Sequence, residues 1–143
     1  MQVKTYAYHS PEYFEALALR DRVLRQPLGL KFTEHELKKD ETDVHFGVFE
    51  NGKIIACLIL SEDRNKQTKM RQVAVDVHYQ NKGVGSLLSK AAEEYARQKG
   101  FEIMFCHARK TAVPFYEKLG YVISGNEFTE VNIPHFKMQK QLV

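Results

Sequence analysis

Residues 72–94 read QVAVDVHYQNKGVGSLLSKAAEE, and this stretch decides the fold. A β-branched run, Val73-Ala74-Val75, leads into a loop that carries Gly83 and Gly85. From Val84 the apolar and small residues fall at 84, 87, 88, 91, 92, 95 and 96, which is one face of a helix, and Gly100 is a natural stop. A strand, a glycine loop and a helix in that order leave the first-turn N–H groups without intrahelical partners. Those groups and the helix dipole make an anion site. Glycine has no Cβ to hold a phosphate away from the backbone, and Lys82 adds a positive charge.

Two familiar phosphate loops do not fit. The P-loop needs G-x-x-x-x-G-K-[ST], which is absent. The dinucleotide fingerprint needs a third glycine where Leu88 stands, and an early place in a βαβ unit, whereas this loop follows four expected strands.

Outward from the loop, the pattern predicts strands over Gln2–Tyr8, Val44–Glu50, Lys53–Ser61, Met70–Val77, Phe101–Ala108, Tyr121–Ser124 and Phe136–Leu142. Asn51-Gly52 joins the second and third as a hairpin. Ser10 and Pro11 start a helix that runs to about Arg25. Glu34 to Lys39 forms a short helix, and Thr111 caps another that passes through Pro114 and ends at Gly120. The expectation is one domain over residues 1–143, of the α/β (α+β) class, with a mixed central sheet of about six or seven strands flanked by helices.

Composition narrows the function. The 143 residues are 43% hydrophobic and 27% charged, with a net charge of +3, which are ordinary values for one globular domain. The basic residues are scattered, so nothing reads as a nucleic-acid or membrane patch. No apolar run spans a bilayer and the first residues lack a signal-peptide core, so a cytoplasmic protein is expected. Cys57 and Cys106 lie inside apolar runs and read as buried thiols. No Cys or His pair shows ligand spacing, so no metal is expected.

The loop resembles the acyl-coenzyme A pyrophosphate loop of the GNAT N-acetyltransferase superfamily, Gln/Arg-x-x-Gly-x-Gly/Ala, at Gln80, Gly83 and Gly85. Val73-Ala74-Val75 is similar to the strand that precedes that loop, and residues 112–121, AVPFYEKLGY, resemble the family's second signature. The resemblance implies splayed central strands, acetyl-CoA as cosubstrate, and transfer of acetyl to a primary amine by direct attack through a tetrahedral intermediate. It places the coenzyme on Val73, Ala74, Val75, Gln80, Asn81, Lys82, Gly83, Val84, Gly85, Ser86 and Tyr116, with the three strand residues acting through their backbone. Tyr116 is then the proton donor to the leaving thiolate, and Phe115 beside it is core. Val77 and Asn81 depart from the commonest family residues without removing a needed donor. Arg109 and Lys110 stand where many members carry an Asn that touches the pantetheine arm, so that contact is not expected.

The general base stays open among Glu36, His45, His107 and His135; His107 is favoured, at the end of its strand just ahead of the Tyr116 helix. A subgroup of the superfamily has an E-x-x-I-P-H-x-x-M ending, similar to Glu130, Ile133, Pro134, His135 and Met138, together with an acidic segment like Glu36–Asp43 and a His like His45. In that subgroup these residues surround the acceptor, so Glu36, His45, His107 and His135 are the expected substrate contacts. His135 is placed on a loop between the last two strands. Acidic residues 34, 36, 40, 41 and 43 could attract a cationic amine. The expected partner is a small-molecule amine rather than a protein tail, and either monomer or homodimer suits an apolar last strand. The rival reading is a non-catalytic acyl-CoA sensor, which need not keep Tyr116.

Overall fold

The computed structural model describes residues 1–143 and is built on one eight-stranded mixed sheet. The strands are β1 (Gln2–Tyr6), β2 (Val44–Glu50), β3 (Lys53–Glu62), β4 (Gln67–Val75), β5 (Ile103–Arg109), β6 (Val122–Ile123), β7 (Phe128–Glu130) and β8 (Ile133–Gln141). They lie in the order β1-β2-β3-β4-β5-β8-β6, with β7 paired to β8. Only β4 and β5 are parallel; every other pair is antiparallel. The helices are α1 (Pro11–Arg20), α2 (Glu34–Lys38), α3 (Val84–Gln98) and α4 (Val113–Lys118). No helix is long and apolar enough to cross a membrane.

Local chemistry sets these elements. Ser10 accepts from the Tyr13 N–H, with Pro11 in the first turn, and so starts α1. Thr33 and Glu36 form a capping box on α2. Asn51 and Gly52 take positive φ angles of 52° and 78°, closing the β2–β3 hairpin. The apolar face of α3, with Val84, Leu88, Ala92 and Ala96, packs on Val48, Ile55 and Leu58 of the sheet. On the opposite face α1 buries Ala16 and Leu19 against Phe49, Ile54 and Cys57.

Some expectations need correction. The first helix is regular only to Arg20 and continues as a π-helical turn through Arg25. Thr111 does not cap α4, which starts at Val113-Pro114 without a side-chain cap. The extra strand is β7, and Val131-Asn132, with φ angles of 45° and 64°, turns it tightly into β8. Ile133-Pro134-His135 therefore opens β8 and is not a loop. Pro134 is tolerated there because it sits at the strand's first turn of pairing, opposite Thr129.

One irregularity shapes the site. Between the β3 partners Cys57 and Ile59, β4 advances from Ala74 to Arg71, one residue too many. Gln72 absorbs the excess at φ 54°, a β-bulge. The extra residue flips the alternation of side chains. Before it, Met70 faces the α3 side; after it, Val73 and Val75 do, while Ala74 turns to the α1 side. Beyond Lys69, β4 also loses β5: their ladder covers only Gln67–Lys69 against Ile103–Phe105. The sheet opens there.

Candidate active site

The opened strands form a cleft with two chambers. One, of about 910 Å³, runs along the glycine loop and is lined by Gln80, Asn81, Gly83, Val84, Gly85 and Ser86, by Val73 and Val75, and by Phe115 and Tyr116. The other, of about 440 Å³, lies across the splay and is lined by His107, Arg109, Glu130 and His135, with Arg25 and Arg71. They share Val23, Val73, Gln80, Ala112 and Tyr116, so one continuous path joins them.

The loop chamber is rich in free donors. None of the chain's hydrogen bonds uses a backbone N–H from residues 80–86. Gly83 holds φ 77° at the N-cap of α3 with open space around its Cβ position, a conformation that favours glycine. Gly85 lines the groove and also makes room for a side chain. A Cβ there would sit 2.6 Å from Cζ of Phe115, so the bare α-carbon makes room for that ring. Phe115 is not core; at 38% exposed it floors the groove. Lys82 lies outside the groove's lining, its Nζ 5.7 Å from the centre of the Tyr79 ring. The Ala74 side chain also points away, into the smaller core.

Tyr116 stands where the chambers meet and is 8% exposed. Burial, helped by the nearby Cys106, pushes its phenol pKa well above the usual value, against the opposing pull of Arg109. It therefore stays protonated across the physiological range.

Three residues form a polar cluster in the second chamber. His107 Nδ1 lies 3.0 Å from Glu130 Oε1. The hydrogen bond from His107 holds Glu130 below the usual carboxylate pKa against the opposing effect of burial. The ionised carboxylate can only accept, so Nδ1 carries a proton, and in the neutral ring Nε2 is the lone-pair nitrogen. His135 Nδ1 donates to the Ile133 carbonyl at 2.9 Å, and its Nε2 is 3.7 Å from Glu130 Oε2. Phe128 locks both rings, edge-on to His107 at 5.0 Å and stacked on His135 at 5.8 Å.

Of the expected acceptor contacts, His45 is not brought here, and Glu36 stands in an adjoining recess. His45 is 2% exposed in the core, and its Nε2 donates to the Asp40 carbonyl at 2.8 Å. Burial lowers its pKa, so it is a neutral structural residue. Glu36 lines a recess that shares Arg25, Arg71, Gln72, Glu130 and Val131 with the second chamber, and there it caps α2 and pairs with Arg25 at 2.8 Å. Within the acidic segment, Asp40 is spent on Arg20 and Arg71 and Asp43 on Arg71 and Ser61, while Glu34 and Glu41 stay exposed. Both cysteines are buried, and burial pushes their thiols up to about 12, far from a nucleophile's range. Reading the sequence alone missed Glu130 as the partner of His107, and the arginines of the chamber; the E-x-x-I-P-H run was the available signal for the first.

Residues 19–142 match the model of the acetyltransferase (GNAT) domain family, and the chain belongs to that family. Over 131 residues, 87% of this chain and 88% of the relative, it is 28% identical to the uncharacterised N-acetyltransferase YitI of Bacillus subtilis (strain 168). It is 38% identical over 73 residues to the uncharacterised N-acetyltransferase YjcF of the same organism, a match covering 50% of this chain and 52% of YjcF. The uncharacterised protein YyaT, also from that strain, is 35% identical over 74 residues, which cover 52% of this chain and 50% of YyaT. The match thus spans about half the length of YjcF and YyaT. Among solved structures, a Lactobacillus plantarum protein provisionally called an N-acetyltransferase superposes with a TM-score of 0.86 at 28% identity, covering 100% of both chains. An aminoglycoside 6′-N-acetyltransferase complexed with coenzyme A shares the fold at a TM-score of 0.84 and 13% identity, over 100% of this chain and 98% of that one.

Proposed function

We propose that this chain is an N-acetyltransferase that moves an acetyl group from acetyl-CoA to the primary amine of a small molecule. The observation that carries the reading is the joint between the chambers: a donor-lined groove fit for a diphosphate opens, at Val73 and Tyr116, onto a chamber holding an oriented imidazole. The fit to coenzyme A rests on the unpartnered N–H groups of residues 80–86, and the fold neighbour solved with coenzyme A supports it. That compound would supply the activated acetyl group as a thioester.

The chain's residues then divide the proton work. His107 Nε2 accepts a proton from the incoming ammonium or amine, because Glu130 fixes the other nitrogen as the donor and stabilises the charge the ring gains. Tyr116, held protonated by its burial, offers a donor at the joint where the leaving sulfur would lie. The freed edge of β4 past the Gln72 bulge presents backbone groups to the extended arm of the coenzyme. His135 and Phe128 hold the imidazole in place.

The test is calorimetric titration with acetyl-CoA, followed by free-thiol release over a panel of small amines. Saturable binding with amine-dependent thiol release supports the reading. Binding without release from any amine would leave the rival, a non-catalytic acyl-CoA sensor, in its place.

A further inference from the structure

The acceptor chamber has the wrong charge for a polycationic amine. Its lining offers three guanidinium groups, Arg25, Arg71 and Arg109, and one carboxylate, Glu130. Glu130 is engaged by His107. Arg71 is neutralised by Asp40 and Asp43, and Arg25 is paired with Glu36. Arg109 is different. It forms no ion pair within 4.0 Å, and its one side-chain hydrogen bond is Nη2 to the Leu24 carbonyl at 2.7 Å. That carbonyl belongs to the residue before Arg25, so the bond draws the two guanidinium-bearing segments together. Arg109 lines the acceptor chamber and does not line the coenzyme groove. A half-buried guanidinium with no carboxylate partner and most of its donor fork unused is a seat for an oxyanion.

Position fixes how far that seat lies from the chemistry. Met104, Cys106 and Ala108 of β5 pack into the core, so Phe105, His107 and Arg109 share the cleft face. His107 and Arg109 are two residues apart on one strand, roughly 7 Å along it. We propose that the acceptor is a short amine that also carries an oxyanion a few bonds from its nitrogen. Arg109 takes the carboxylate or phosphate, and this sets the amine against His107. The inference rests on the N-acetyltransferase reading and names its substrate class.

Matched pairs of amines test it. β-Alanine is compared with n-propylamine, and phosphoethanolamine with ethanolamine, first for binding to the coenzyme A-loaded protein by calorimetry and then for thiol release from acetyl-CoA. At least one anionic partner should exceed its neutral match by about tenfold or more, and the pair that responds tells carboxylate from phosphate. Arg109→Gln should erase that preference while leaving coenzyme A affinity unchanged, and Arg109→Lys should retain part of it. Neutral amines that bind as well as their anionic matches, or an Arg109→Gln variant whose main loss is coenzyme A binding, would overturn the proposal. The wild-type pairs decide the matter even if a variant fails to fold. An anion preference in binding with no thiol release would uphold the pocket's selectivity and sink the enzyme reading instead.

Discussion

Arg20 and Asp40 form an ion pair at 2.8 Å whose side chains are 2% and 0% exposed. The same carboxylate accepts from Tyr13 Oη at 2.7 Å, and its other oxygen meets Arg71 Nη2 at 3.2 Å. Arg71 in turn belongs to the strand that walls the chamber of His107 and Glu130. This buried network therefore ties α1, the segment after α2 and β4 into one block, and holds the chamber's wall in place.

Burial alone would raise the Asp40 pKa, but Arg20, Tyr13 and Arg71 together pull it below the usual carboxylate value. A carboxylate depressed in the folded state adds stability above its unfolded pKa, about 3.9, and loses it as pH falls toward the folded value. The melting temperature should therefore drop as pH falls below about 4. Asp40→Asn should lower stability by about 3–5 kcal/mol at neutral pH, since it strands the buried Arg20 guanidinium, while Arg71 keeps Asp43. It should also flatten the acid drop, which thermal melts from pH 3 to pH 7 would show; an unchanged acid slope would remove Asp40 from this role.

Gly85 and Phe115 make a second pair whose coupling can be measured. A methyl at Gly85 would overlap the far edge of the Phe115 ring, and that ring is 38% exposed and free to swing. Gly85→Ala should therefore cost little stability, about 1 kcal/mol, while the displaced ring narrows the groove and weakens coenzyme A binding. Phe115→Ala in the same chain should restore most of the affinity. Calorimetric titration of the two single variants and the double variant gives the coupling directly. Additive losses would show that Gly85 acts through the backbone alone.

Much of this was legible in the sequence because it is local. The helix stripe from Val84, the Asn51-Gly52 turn and the strand before the glycine loop each depend on neighbours a few residues away. The GNAT family was legible for the same reason, since its two signatures are short. What stayed hidden is paired over long separations. Nothing near Asp40 announces that Arg20 and Arg71 will neutralise it, so the acidic segment looked like an attractant for cations. Gln72 gives no glycine signal for its bulge. The strand Phe128–Glu130 is three residues long and is held by its turn into β8. His45 sits in a strand whose every interior residue is buried, and the alternation that would have exposed that was absent.

Ser86 separates the proposed phosphate site from the stability of its helix. It is the third residue of α3 and lines the groove. A carboxylate in a first helical turn is favoured by the dipole, so Ser86→Glu should leave the melting temperature equal or slightly raised. The same charge would repel a diphosphate on the neighbouring N–H groups. Coenzyme A affinity should fall by about tenfold or more, and sulfate-free titration would show it. An unchanged affinity would place the diphosphate elsewhere.

Tyr116 and Glu130 should fail in different ways. Tyr116→Phe removes one hydroxyl at the joint of the chambers and keeps the ring that packs on Phe115 and Tyr121. Coenzyme A binding should persist while kcat falls by about 10²-fold. Glu130→Gln lies in the other chamber, so it too should spare coenzyme affinity. Its amide can still touch His107 but no longer fixes the tautomer or offsets the ring's charge, and kcat should fall by about 10²–10⁴-fold. The two losses should also part under a change of leaving group. If sulfur departure limits Tyr116→Phe, a thioester with a more acidic thiol should rescue that variant and not Glu130→Gln. Equal rescue of both would mean that the phenol and the imidazole do not serve opposite ends of the reaction.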